Sequence, residues 1–221
     1  MPTSTELIQD VKDAVLGASF SNTAILRSLN KGINRVAGMV LLPDLETSDT
    51  VTTGTGNYLD LPDDFHRELQ AVYDDTNKRK VKIYDSFVEF LRRYPGLGYT
   101  GSSVEAVSNR AQRLYYQPIP DTAQDFTVYY YRKPVALVEV SVPPVVGAQT
   151  TPDGIPEHLA TDLLVSFAAM DLWRNLEQDE NNQPNVEKYA ALFGRALIEL
   201  REFIGDDDGE PDYITRNWGG E

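Results

Sequence analysis

The spacing of the apolar residues changes twice along this chain, and that change constrains the fold more than any other feature. From Leu7 to Val40 they recur at three and four residues, from Val51 to Arg132 they alternate, and from Leu159 the helical spacing returns. A segment patterned for one period cannot bury its apolar side in the other. The ends are therefore expected to be helical and the middle β-rich.

Local signals mark the expected elements. Thr3-x-x-Glu6 has the form of a capping box, and Leu7, Ile8, Val11, Ala14 and Val15 follow on one face up to Gly17. Ser21 offers a second N-cap after Phe20, and Ile25, Leu29, Ile33, Val36 and Val40 form a stripe that Pro43 ends. Gly32 inside that stripe costs about 1 kcal/mol relative to alanine, which suggests close packing against another backbone or a tolerated defect. Toward the C-terminus, Pro156 and Glu157 suit a first turn, and Leu159, Leu163, Phe167, Met170 and Trp173 share a face. After the polar break Gln178 to Pro184, a last helix turns Val186, Tyr189, Phe193, Ala196, Leu197, Leu200 and Ile204 inward until Gly205.

Three hairpins are expected in the middle. Thr50–Thr53 would pair with Tyr58–Leu61 across Gly54-Thr55-Gly56-Asn57, Leu69–Tyr73 with Lys80–Tyr84, and Val104–Ser108 with Arg113–Gln117. Ser86-x-x-Glu89 opens a short helix that buries Phe87, Phe90 and Leu91 before Pro95. Phe126 to Arg132 reads as a last strand, with Phe126, Val128 and Tyr130 on one face and Thr127, Tyr129 and Tyr131 on the other. Prolines and valines make Lys133 to Pro152 an arm or long loop.

The predicted fold class is α+β. Helices from 1–43 and 153–205 form one discontinuous bundle, and 44–152 is a hairpin-based β insertion with one short helix and the arm 133–152. Residues 206–221 are an extended C-terminal tail. No internal repeat is visible.

Composition narrows the function classes. The absence of cysteine excludes disulfides, thiol nucleophiles and thiolate metal sites, and two histidines cannot build a multi-histidine metal site. With 20 Lys+Arg against 34 Asp+Glu the formal charge is −14, which disfavours binding to a phosphate backbone. Apolar runs such as that around Val36 to Leu42 fall far short of the ~20 residues that cross a bilayer. The opening Met1-Pro2-Thr3-Ser4-Thr5-Glu6 lacks the pattern of a signal peptide, so no export is expected.

Motifs that resemble chemistry have plainer readings. Gly96-x-Gly98-x-x-Gly101 matches a dinucleotide fingerprint in letters, but it follows a helix and precedes a strand, the reverse of the context that motif needs. His158 stands at a helix start, His66 lies in the charged turn Asp63 to Glu68, and no serine sits in a nucleophile elbow. Asp206 to Asp208 lack the alternation of a calcium loop and read as a solvated spacer. No catalytic residue, cofactor or metal is therefore assigned.

Two features point to partners instead. Ten of the 12 tyrosines lie between Tyr58 and Tyr131, and Tyr129-Tyr130-Tyr131 puts rings on both faces of a strand of which one can be core. Beyond the acidic spacer, Tyr213, Ile214 and Trp218 are costly to leave in water. Docking on a partner chain, with Arg216 supplying an ionic or hydrogen-bonding contact, is the reading taken, and folding back on the protomer's own helices is the alternative.

Several segments together resemble a known family. They are Val40–Thr47, Leu61–Phe65, Phe90–Gly96, Leu114–Gln117, Tyr129–Pro134 and Thr151–Leu159, within a similarity running from about Leu7 to Ile204. They resemble the head-to-tail adaptor, or connector, proteins of tailed bacteriophages. The arm Val135 to Thr150 departs from the resemblance by its length. The resemblance implies a non-enzymatic virion protein at the head–tail interface, assembled in the host cytoplasm. It implies a self-assembled ring, usually twelvefold, that joins the portal protein to a tail or nozzle protein and leaves a passage for DNA. Under it the docking tail, with Tyr213, Ile214, Arg216 and Trp218, is expected to grip the portal, with no membrane contact and no sequence-specific nucleic-acid binding. The net negative charge, if it lines the bore, would keep DNA from adhering. Two other classes stay open: a binding module that grips a glycan or receptor through the tyrosines of the β insertion, and a hydrolase using His66 or His158.

Overall fold

The computed structural model describes residues 1–15, 20–139, 149–177 and 183–205, and it is α+β, with five α-helices and several sheets. The chain divides into two compact units, Met1–Asp44 with Pro134–Glu221, and Leu45–Lys133.

The first unit holds α1 (Ser4–Ala14), α2 (Asn22–Met39), α4 (Glu157–Arg174) and α5 (Pro184–Ile204). Each start follows from its cap. Thr3 accepts from Glu6 N–H while the Glu6 carboxylate accepts from Thr3 N–H, and Ser21 Oγ accepts from Ala24 N–H. Proline at the first position opens α5, and Gly205, at φ +90°, closes it. α4 packs against α5, α2 and α1, and α1 also meets α2. Leu7, Val11, Ile25, Leu29, Ile33, Val36, Leu163, Leu164, Ala168 and Leu200 are buried. Gly32 is a close approach, but to side chains rather than to the backbone expected: a Cβ there would lie 3.1 Å from Phe167 Cδ1. Tyr189 closes the group by donating its hydroxyl to the Ala14 carbonyl at 2.6 Å.

The described part of the proline–valine arm belongs to this unit rather than to the β insertion in which the sequence reading placed it. Its anchor is Leu137, which is buried. Leu137 N–H donates to Asn30 Oδ1 at 2.7 Å, and Asn30 Nδ2 donates to the Leu137 carbonyl at 3.0 Å.

In the second unit two four-stranded sheets enclose one core. β1 (Glu46–Thr52), β10 (Asp125–Arg132), β3 (Phe65–Asp74) and β4 (Arg79–Lys80) form the first, in that order. β2 (Tyr58–Asp60), β8 (Arg113–Gln117), β7 (Ala106–Arg110) and β5 (Lys82–Ile83) form the second. A two-stranded pair joins β6 (Thr100–Gly101) to β9 (Ile119–Pro120). The helix α3 (Phe87–Arg93) starts at Ser86, whose Oγ accepts from Glu89 N–H. Phe65, Val72, Val107, Leu114, Tyr116, Phe126, Val128 and Tyr130 fill the core between the sheets.

The third expected hairpin is present, since β7 pairs antiparallel with β8. The first is not. β1 pairs along its length with β10, placing Val51 opposite Phe126, while β2 pairs with β8 in the other sheet. The Gly54–Asn57 link carries the chain between sheets, and Tyr116 pins it: its hydroxyl bonds both the Gly54 carbonyl and the Gly54 N–H at 3.1 Å. The second hairpin is halved. β3 and β4 pair at Tyr73–Lys80 and Asp74–Arg79, and then the strand leaves to run parallel with β7 as β5.

Candidate interface

The tail residues Tyr213, Ile214, Arg216 and Trp218, and the acidic run before them, lie outside the described residues. What the structure describes is the helix from which that segment departs. Packing α5 through Val186, Tyr189, Phe193, Ala196, Leu197 and Leu200 leaves three large apolar side chains of the same helix outward, Ile198 opposite the buried face and Leu192 and Phe203 on its flank. Leu192, Ile198 and Phe203 are 43%, 58% and 60% exposed. Phe203 meets the ring of His158 edge-on, with centroids 4.6 Å apart, so that histidine serves as a packing partner at the start of α4. Sequence reading missed these three because a stripe search collects inward positions; their signal is being apolar and off the stripe.

The β unit offers another outward surface. Phe126, Val128 and Tyr130 are buried, and Thr127, Tyr129 and Tyr131 take the other face, as the alternation along β10 requires. Tyr73 stands opposite Thr127 on the neighbouring strand and Ala71 opposite Tyr129, so tyrosines from two strands share that face. The core tyrosines are different in kind. Burial pushes the Tyr130 phenol well above its usual range, helped by its 2.6 Å hydrogen bond to Asp64 Oδ1. Burial raises Tyr116 too, against the opposing effect of its bond to Gly54. Both stay neutral and donate hydrogen bonds; neither is poised for proton transfer.

The other sequence-flagged residues are structural. His66 lies on β3, because that strand begins at Phe65 within what reads as a charged turn. Gly96 follows α3 at φ +84° and leads to β6, a helix-to-strand connection. A shallow recess between α2 and α4 is lined by Arg27, Ser28, Lys31, Asp171 and Asn175. There the Asp171 carboxylate is neutralised by Lys31 Nζ at 2.8 Å and Ser28 Oγ at 2.7 Å, which leaves it no proton to move at neutral pH. Among the described residues no three His, Asp or Glu side chains gather as a metal cage requires, and no helix is long and apolar enough to cross a membrane.

The family comparison gives these surfaces a setting. The profile of a family described as SU10 adaptor protein matches residues 2–216. The chain belongs to that family. The match extends past Gly205 through Tyr213, Ile214 and Arg216. SU10 adaptors are structural phage proteins, which are not an enzyme class, so this adaptor is a component of a virion. A comparison with curated proteins finds none that matches.

Proposed function

We propose that this adaptor assembles as a ring, twelvefold by resemblance, that joins the portal to the tail or nozzle and leaves a channel for DNA. The observation that carries the reading is the family match across residues 2–216, since an adaptor implies interaction with phage head and tail components. In this reading the helices of 1–43 and 153–205 act as one bundle whose sides make the ring. The segment from Asp206 grips the portal through Tyr213, Ile214 and Trp218, with Arg216 as an ionic contact. Gly205 ends α5 two residues after exposed Phe203. The formal charge of −14 suits a channel wall to which DNA must not adhere.

Ending the chain at Gly205 is the test. The shortened protein is expected to keep its helical circular dichroism and melting behaviour but fail to attach to portal in co-sedimentation. Normal attachment would overturn the tail assignment.

A second reading has one observation behind it, the shared outward face of Tyr73, Tyr129 and Tyr131. A glycan or receptor module would use such a face. Binding on a glycan array that Tyr129→Ala abolishes would favour it over the connector.

A further inference from the structure

The first sheet of the β unit ends on β1 at one side and on β4 at the other, and the two edges carry opposite charge. β1 exposes Glu46 and Asp49. At the far edge Lys78, Arg79 and Lys80 are exposed, and so is Lys82, where the chain has crossed to β5 of the second sheet, which puts four of the chain's 20 cations into five residues of a protein whose net charge is −14. Two of them are engaged internally. Arg79 Nε lies 3.7 Å from the buried Asp74 carboxylate, and Lys82 Nζ sits 4.5 Å from the Tyr84 ring centroid. Lys78 and Lys80 make no ion pair with any described residue. The adjoining Asp75 carboxylate is itself held by Thr127 Oγ1 at 2.6 Å.

The acidic edge also has backbone to offer. Thr53 N–H bonds the Gln124 carbonyl, so two-residue alternation turns the amides of Thr52, Thr50, Ser48 and Glu46 away from β10. Asp49 Oδ1 covers Thr50 N–H at 2.7 Å.

Charged side chains on an edge strand ordinarily deter other strands. Opposite signs on the two edges do something more selective. Each edge repels a copy of itself and attracts the other edge of a second copy, which rejects a two-fold dimer and permits only head-to-tail contact. Head-to-tail contact is the symmetry a ring needs. We propose that the β1 edge of one protomer docks against the Lys78–Lys80 edge of the next, with Glu46 and Asp49 facing Lys78 and Lys80. This rests on the ring reading above and adds to the bundle sides a contact in the β unit on which closure of the ring also depends.

Two measurements on the full chain test it. In the first, wild-type protein assembled on portal is treated with a carbodiimide, which couples carboxylates to lysines without a spacer, and the multimer bands are mapped by peptide mass spectrometry. Within one protomer the edges are separated by two strands, about 14 Å, so a peptide joining Glu46 or Asp49 to Lys78 or Lys80 reports contact between copies. Such peptides are expected in multimers and absent from monomer. Multimers without them overturn the proposal while leaving the ring intact, and failure of the wild type to assemble at all overturns the ring reading first.

In the second, Glu46→Lys with Asp49→Lys and Lys78→Glu with Lys80→Glu are made as separate proteins. Each alone is expected to lose at least tenfold in assembled rings counted by electron microscopy. An equimolar mixture recovers them as alternating rings, and so does the chain carrying all four changes. Rings from either variant alone at the wild-type level, or no recovery on mixing two variants with native circular dichroism, would contradict the contact.

Discussion

Ser28 and Asp171, 143 residues apart in sequence, are joined by a 2.7 Å hydrogen bond that ties α2 to α4 in the helical unit. Lys31, one turn further along α2, adds a 2.8 Å ion pair to the same carboxylate. Burial pushes Asp171 up, but the bonds from Lys31 and Ser28 and the charges of Lys31 and Arg174 outweigh it and hold the group below the usual aspartate range.

That balance makes the helical unit acid-sensitive. A folded-state value below the unfolded one means that the carboxylate's contribution is complete above its ordinary range and is lost as pH falls through the lowered value. Asp171→Asn is expected to destabilise the protein by about 1–2 kcal/mol at pH 7. The gap between wild type and variant should close below about pH 4, where aspartates begin to protonate. Urea unfolding at pH 7 and pH 3 measures both. An equal gap at the two pH values would show that the ionised group contributes nothing.

Two of the three glycines inside long helices, Gly32 and Gly194, should respond in opposite ways. A Cβ at Gly194 in α5 meets nothing within 4 Å, so Gly194→Ala should stabilise by up to about 1 kcal/mol through helix propensity alone. Gly32 faces Phe167 at 3.1 Å and Leu164 at 3.4 Å, and Gly32→Val should cost about 1–3 kcal/mol through overpacking. Thermal melts of the two variants beside wild type decide it, and a stabilising Gly32→Val would mean that α2 and α4 are not in close contact.

In the β unit the buried carboxylate of Asp74 organises the β3–β4 turn. It accepts from Asn77 N–H at 2.9 Å and from Asn77 Nδ2 at 2.7 Å, with Arg79 above it. Asp74→Ala should destabilise by about 3 kcal/mol, because removing it strands those donors and an arginine arranged around a charge. Denaturant unfolding monitored by the tyrosines and tryptophans should show the loss. A change under 0.5 kcal/mol would indicate a turn held by strand pairing alone.

What could be read from the residues was local chemistry. Thr3, Ser21 and Ser86 each mark a helix start because a cap needs only a hydroxyl three residues before the amide it satisfies. The faces of β10 were legible for the same reason, since alternation is a property of one strand. Pairing was not. Gly54-Thr55-Gly56-Asn57 has the composition of a hairpin turn, yet Val51 finds its partner in Phe126 far along the chain, and no local signal carries that information. The shift of register near Tyr130 was equally hidden, because Glu68 rather than glycine takes the left-handed conformation there, at φ +54°. At the candidate interface, Tyr213, Ile214 and Trp218 are an expectation drawn from the cost of exposing them, and they lie outside the described residues. The outward Ile198 and Phe203, and the oppositely charged sheet edges, required knowing which side of each element was covered.

The central claim concerns assembly, and electron microscopy of the purified chain mixed with the portal of its own phage tests it most directly. The account predicts a ring of adaptor subunits seated at the narrow end of the portal, coaxial with the channel. Portal particles left bare, beside an adaptor that remains monomeric at concentrations sufficient for assembly, would contradict it.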